Sequence, residues 1–266
     1  YIYSLNGKWK FNWVRNADER PLKFFNPKFE DKDWVDFEVP AMFEMNGYGD
    51  PVYVNNGYPW RNFHPNTPPV VPAKNNFVGS YRRTIDIPAD WKSKDVFIHF
   101  GSVSSAFYVW INGKFVGYSE DTKLEAEFDI TPYLVPGKNL IAFQVYRWCD
   151  GSYLEDQDFW RMTGVARDSY LYARNKKRIN DVRITPDLTN NYQDGILNID
   201  LDLNHEGSEI QLELTDIKGN PVHISKMSNA SKKIQQKIQL EKPLLWNAEQ
   251  PNLYQLYVKL YNKSGK

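Results

Sequence analysis

Residues 147–168, RWCDGSYLEDQDFWRMTGVARD, hold the chain's densest mixture of ionic and aromatic side chains. Carboxylates stand at Asp150, Glu155, Asp156, Asp158 and Asp168, among Arg147, Arg161, Arg167 and the rings of Trp148, Tyr153, Phe159 and Trp160. This combination suits sugar recognition. Carboxylates accept hydrogen bonds from hydroxyls, while rings cover the apolar C–H face of a pyranose. A carboxylate in such a place can also hold a hard cation through oxygen. The plainer reading is a solvated loop of paired charges, with Asp158 three residues from Arg161. Against it, Tyr153, Phe159 and Trp160 are poor choices for a fully solvated loop.

Other chemistries lack their residues. None of the four histidines, His64, His99, His205 and His223, has a second His or a Cys at metal-ligand spacing, so each reads as structural or superficial. No GxSxG, HExxH, Walker or GxGxxG string occurs. Lys+Arg and Asp+Glu both total 33, so no electrostatic footprint for nucleic acid or an anionic membrane exists. No stretch is long and apolar enough to read as a membrane-spanning helix. Cys149 is the single cysteine, which forbids an intrachain disulfide and leaves the compartment open. The chain opens Tyr-Ile-Tyr rather than with Met, so a lost leader also stays open.

The elements that must position these residues read as β. Period-two alternation marks strands at Ser80–Ile87, Asp95–Phe100, Ala106–Ile111, Lys114–Tyr118, Asn139–Trp148 and Asp168–Ala173. Asn112-Gly113 between two apolar runs predicts a type I′ hairpin. Residues 40–76 are rich in Pro and Asn, and their Phe43, Tyr48, Tyr53, Tyr58, Trp60 and Phe63 argue for a packed loop. Of 41 aromatics (9 Trp, 17 Tyr, 15 Phe) only Tyr192, Trp246, Tyr254, Tyr257 and Tyr261 follow residue 173. That contrast predicts two domains, 1–174 and 175–266, divided by the basic run RNKKR. Alternation at Leu197–Leu203, Ile210–Leu214 and Tyr254–Leu260 predicts an immunoglobulin-like sandwich of five or six strands, with its closing strand expected to be missing or disordered.

The strings LNGKWKFNW (5–13), DPVYVNNGYPW (50–60), AFYVWINGKFVGYSEDTKLEAEFDIT (106–131), RWCDGSYLEDQDFWRMTGVAR (147–167) and PLLWNAEQPNLY (243–254) together resemble the opening domains of the large bacterial β-galactosidases of glycoside hydrolase family 2. β-Glucuronidases and β-mannosidases share that architecture, and the strings at 50–60 and 150–162 favour the galactosidase type. The resemblance implies an all-β fold, a jelly-roll followed by an immunoglobulin-like sandwich. It also implies that a (β/α)8 barrel, further β domains and both catalytic glutamates lie outside this chain. No catalytic residue is therefore expected here, nor hydrolysis by this chain alone.

The resemblance carries two residues over to a galactose pocket. Asn55 matches the Asn of a Tyr-x-Asn-x-x-Tyr-Pro string that reaches the sugar. Asp158, the second Asp of Asp-Gln-Asp, matches a residue that binds galactosyl hydroxyls and helps hold sodium. Asn55 could also simply serve a turn, and Tyr153 and Trp160 read as packing beneath the loop. Sodium and magnesium are implied for the full-length enzyme, with neither bound tightly by this chain. The implied partners are a galactoside, the missing barrel and further copies in a homo-oligomer. A self-sufficient carbohydrate-binding module is the alternative reading. Asn56-Gly57 and the bulky run at 60–70 depart from the family pattern and point to a different aglycone preference.

Overall fold

The computed structural model describes residues 1–155 and 158–261. The chain is all-β, a jelly-roll followed by an immunoglobulin-like sandwich, with only short 3-10 turns besides strands among the described residues. It divides into two compact units, Tyr1–Arg174 and the residues from Asn175 onward.

The first unit is built around a six-stranded sheet. Its order is Lys114–Ser119, Ala106–Ile111, Lys138–Tyr146, Val78–Asp86, Gly7–Val14, Val35–Val39, and every neighbouring pair is antiparallel. A four-stranded sheet runs Ile2–Ser4, Ser169–Asn175, Lys94–Phe100, Ala126–Asp129. The predicted strands are present with ends shifted by a residue or two. Asn112 and Gly113 take φ of 52° and 84°, the positive pair that a type I′ turn requires.

Lys138–Tyr146 lies in the interior of its sheet and is buried from Asn139 to Val145. One face sends Ile141, Phe143 and Val145 into the aromatic core with Trp9, Phe11, Tyr81 and Phe100. The Tyr81 and Phe143 rings stack with centroids 4.3 Å apart. The other face carries polar Gln144, whose amide donates to Ser80 Oγ at 2.8 Å. Buried Arg82, on the neighbouring strand, donates to Asp31 at 2.7 Å and to the carbonyls of Phe24, Asn26 and Phe29. Those bonds tie segment 24–31 to the sheet, and a buried guanidinium is tolerated because its donors are satisfied.

The second unit pairs two three-stranded antiparallel sheets, Ile179–Thr189 with Asp194–Leu203 and Lys233–Leu240, and Pro221–Ala230 with Ser208–Asp216 and Tyr254–Tyr261. Its core is aliphatic: Ile199, Leu201, Leu203, Ile210, Leu212, Leu214, Ile234 and Ile238. The expected closing strand falls on residues outside the described ones.

Gly79 marks how tightly the first core is packed. A Cβ there would run into the rings of Phe43 and Phe11, and Gly79 is itself fully buried in a paired strand. Overpacking of this kind costs about 1–3 kcal/mol. Gly79→Ala is expected to lower the melting temperature of the first unit by several degrees, read by differential scanning calorimetry; an unchanged transition would show that the rings can move aside.

Candidate functional site

Two short strands, Val52–Val54 and Phe159–Arg161, join the two segments that carry the sequence-predicted residues. They pair antiparallel with Val54 opposite Phe159, Tyr53 opposite Trp160 and Val52 opposite Arg161. Asn55 and Asp158 flank this ladder, one residue after Val54 and one before Phe159. Side chains alternate along a strand, so Tyr53 and Trp160 share one face of the ribbon. Burial agrees. Asn55 and Asp158 are exposed, Tyr53 and Trp160 are 51% and 55% exposed, and Val54, on the opposite face, is 4% exposed. The neighbouring motif residues Asp156 and Gln157 lie outside the described residues.

Asp158 is held from across the ribbon. The Tyr53 hydroxyl donates a hydrogen bond to Asp158 Oδ1. This bond holds the Tyr53 pKa above the ordinary phenol value, because losing the proton would set two negative oxygens against each other. Arg161, the charge partner considered from spacing, donates to the Glu155 carbonyl oxygen at 2.8 Å and lies 4.4 Å from the centre of the Phe159 ring.

An aromatic cluster fixes the two loops that carry the ribbon. Trp60, from the Pro/Asn-rich loop, is fully buried against Trp148 and Tyr153, with ring centroids 5.3 and 5.1 Å away. The Tyr153 hydroxyl donates to Val70 O at 2.6 Å. The buried Asn76 amide donates to Trp148 O and accepts from Trp148 N, at 3.1 and 2.9 Å, as a strand neighbour would. Tyr153 is thus packing, as its place in the sequence implied. Trp160 is not: half of it faces solvent.

A recess of about 340 Å³ opens beside the ribbon, walled by Ser105, Thr122, Glu155, Trp160 and Arg161 among others. Thr122 N donates to Glu155 Oε1 at 3.0 Å. Lys123 Nζ lies 3.4 Å from the centre of the Phe159 ring, and burial lowers its pKa. Two buried charged residues lie close by: Glu44, which the sequence reading did not single out, and Arg147, named there only as part of the ionic–aromatic segment. Buried Glu44 accepts from Thr163 N at 2.8 Å through Oε2, while its Oε1 has no partner. Buried Arg147 donates to Asp50 O at 3.0 Å, and burial pushes its pKa down to about 10. Their only sequence signal is charge beside aromatics, which surface residues share.

Two of the histidines make structural contacts. His99 bonds Glu127 at 2.9 Å and stacks on Tyr170, and His205 bridges Asn204 and Ser208. One group of ligand-type atoms stands apart from the ribbon among the described residues. Glu120, Cys149 and Asp150 place such atoms within 4.8 Å of one another. Burial raises the Cys149 thiol, which leaves the two carboxylates as its charged donors.

A family model described as glycosyl hydrolases family 2, sugar binding domain, matches residues 2–175, and the glycosyl hydrolases family 2 model matches residues 177–266. The chain is 42% identical over 276 residues to a β-galactosidase of Priestia megaterium, covering 100% of this chain and 27% of that one. A Clostridium acetobutylicum β-galactosidase is 40% identical, with 98% and 29% covered. The chain therefore spans under a third of the length of these relatives. A Bacteroides uniformis β-glucuronidase structure superposes with TM-score 0.74 at 20% identity, covering 100% of this chain and 31% of that one. A Bifidobacterium dentium β-glucuronidase complexed with coumarin-3-O-glucuronide gives 0.71 at 17%, covering 100% and 46%. At such identities these structures show a shared fold.

Glu44 lends itself to a pH measurement. Burial raises its carboxyl pKa, outweighing the opposing Thr163 amide and Arg147 charge. A carboxyl raised on folding stabilises while protonated. Its contribution is complete below the unfolded value and is lost as pH rises through the folded one. As pH rises above the ordinary carboxyl value of about 4, the melting temperature of Glu44→Gln is expected to gain steadily on that of the wild type. A difference that does not vary with pH would exclude this charge as the source.

Proposed function

The chain belongs to glycosyl hydrolase family 2, and from that membership we propose that it is the non-catalytic N-terminal region of a retaining β-galactosidase that hydrolyses terminal β-galactosides such as lactose. The ribbon supports this reading. It joins the two segments that carry an amide, Asn55, and a carboxylate, Asp158, each exposed and so free to meet a sugar held against a further domain.

The division of labour follows from the chemistry. Retaining hydrolysis needs two carboxyls about 5 Å apart, one as nucleophile and one as acid/base. These belong to a barrel of about 250 residues, which a 266-residue chain folded into two sandwiches does not contain. Asn55 offers a donor and an acceptor, and Asp158 two acceptor oxygens, to hydroxyls that take no part in bond cleavage. Binding energy at such positions orients the sugar and lowers the barrier where the bond breaks.

The same carboxylate suits sodium. A hard monovalent cation asks for oxygen ligands, and Asp158 would supply one of them. When bound, the ion would offer positive charge to the sugar's hydroxyl oxygens. Magnesium in the parent enzyme is assigned to residues outside this chain. The parent's other partners are its barrel, its later domains and further copies of itself.

A carbohydrate-binding module acting alone is the second reading, favoured by the recess beside the ribbon with its hydroxyls, carboxylate and exposed Trp160. Calorimetry separates the two. Millimolar or tighter binding of galactose or lactose by this chain supports the module, and silence supports an incomplete pocket.

Two outcomes are expected. The chain by itself should leave a chromogenic galactoside uncleaved, and turnover well above a blank would overturn the assignment of catalysis to another domain. In the full-length polypeptide, Asp158→Asn should cut kcat/KM by about ten- to a hundredfold, the loss of a charge-assisted hydrogen bond, and weaken the sodium response with it. Unchanged sodium dependence would remove Asp158 from the ion's ligands.

A further inference from the structure

We propose that Tyr53 is a positioning residue for Asp158, orienting the carboxylate that meets the galactosyl hydroxyl. The inference rests on the substrate role given to Asp158 above.

A carboxylate at the end of a three-rung ribbon has little to stop it rotating. Asp158 is exposed, and the residue after it begins the paired strand. Tyr53 supplies the missing restraint. It occupies the middle rung, so its backbone is held on both sides, and Trp160 stands directly opposite. The two rings meet edge to face, with centroids 5.6 Å apart at 60°. Asp158 is two residues before Trp160, which leaves it within reach of an aromatic side chain across the ribbon. The phenol closes that gap by donating to Oδ1.

The bond leaves the carboxylate usable. An ionised carboxylate has about four lone-pair positions, and the phenol takes one on Oδ1. Oδ2 and the remaining Oδ1 position stay open, now in a fixed plane. Holding the group ahead of binding removes ordering that the sugar would otherwise have to supply. Phenylalanine at 53 keeps the ring and its contact with Trp160 but loses the hydroxyl. The expected defect is therefore in the orientation of Asp158, with the ribbon intact.

Two measurements test this. In the 266-residue chain, the NMR spectra of Tyr53→Phe should match those of the wild type away from residues 52–54 and 158–161, which shows the ribbon intact; a wider change would overturn a role confined to positioning. In the full-length polypeptide, calorimetry with a non-hydrolysable thiogalactoside should show Tyr53→Phe weakening binding about three- to tenfold, the worth of one hydrogen bond. The double variant with Asp158→Asn should bind no more weakly than Asp158→Asn alone. Tyr53→Phe binding like the wild type while Asp158→Asn is impaired overturns the positioning role and leaves the proposed function standing. Additive losses in the double variant also overturn it, because Tyr53 would then act by another route. Unimpaired binding by Asp158→Asn overturns the substrate role of Asp158, and the inference falls with it.

Discussion

Three rungs of antiparallel pairing between Val52–Val54 and Phe159–Arg161 carry the candidate site, and three rungs do not hold themselves. An isolated two-stranded ribbon is marginal in water, and this one joins segments more than a hundred residues apart in sequence. Its persistence depends on what lies behind it. Trp60 from one loop is buried between Trp148 and Tyr153 of the other, and Asn76 and Tyr153 add hydrogen bonds to backbone atoms across the same seam. Aromatic pairs of this geometry contribute about 0.5–1.5 kcal/mol each beyond their buried area. The exposed face can therefore stay polar, because the binding energy of the loops comes from the other side.

The same constraint explains where the rings are. The first unit must cover both faces of its large sheet and also pack a long irregular segment with few ladder hydrogen bonds of its own. Large flat side chains fill such uneven space, and buried amides and guanidinium groups such as Asn76, Asn139 and Arg82 satisfy backbone groups that no strand reaches. The second unit has regular strands of eight to eleven residues and two facing sheets. Branched aliphatic side chains suffice to fill the gap between them. The uneven distribution of aromatics along the sequence thus reports two packing problems of different difficulty.

Polar groups divide along the same line. At the ribbon Asp158 and Asn55 keep access to solvent, as binding requires. Close by, Glu44 and Arg147 are buried, with Oε1 of one and Nε of the other lacking partners. Desolvation pushes both toward their neutral forms. Charge that costs stability sits close to the loop that carries the site, a common place for a fold to tolerate it.

Period-two alternation, turn residues and the aromatic count were enough to reveal the all-β class, the strands, the Asn112-Gly113 hairpin and the contrast between the two units. Each of these is set by neighbours within a few residues, and local sterics act at that range. The strings around Asn55 and Asp158 likewise identified the family and the residues to watch. Their meeting could not be read in this way. Which strand pairs with which, and in what register, depends on burying Trp60 against Trp148 and Tyr153, residues scattered over some ninety positions. The hydroxyl of Tyr53 on Asp158 and the exposure of Trp160 follow from that register, and a one-residue slip would turn these side chains to the opposite face. The burial of Glu44 and Arg147 follows from the elements packed around them, so only the packed tertiary structure decides any of these.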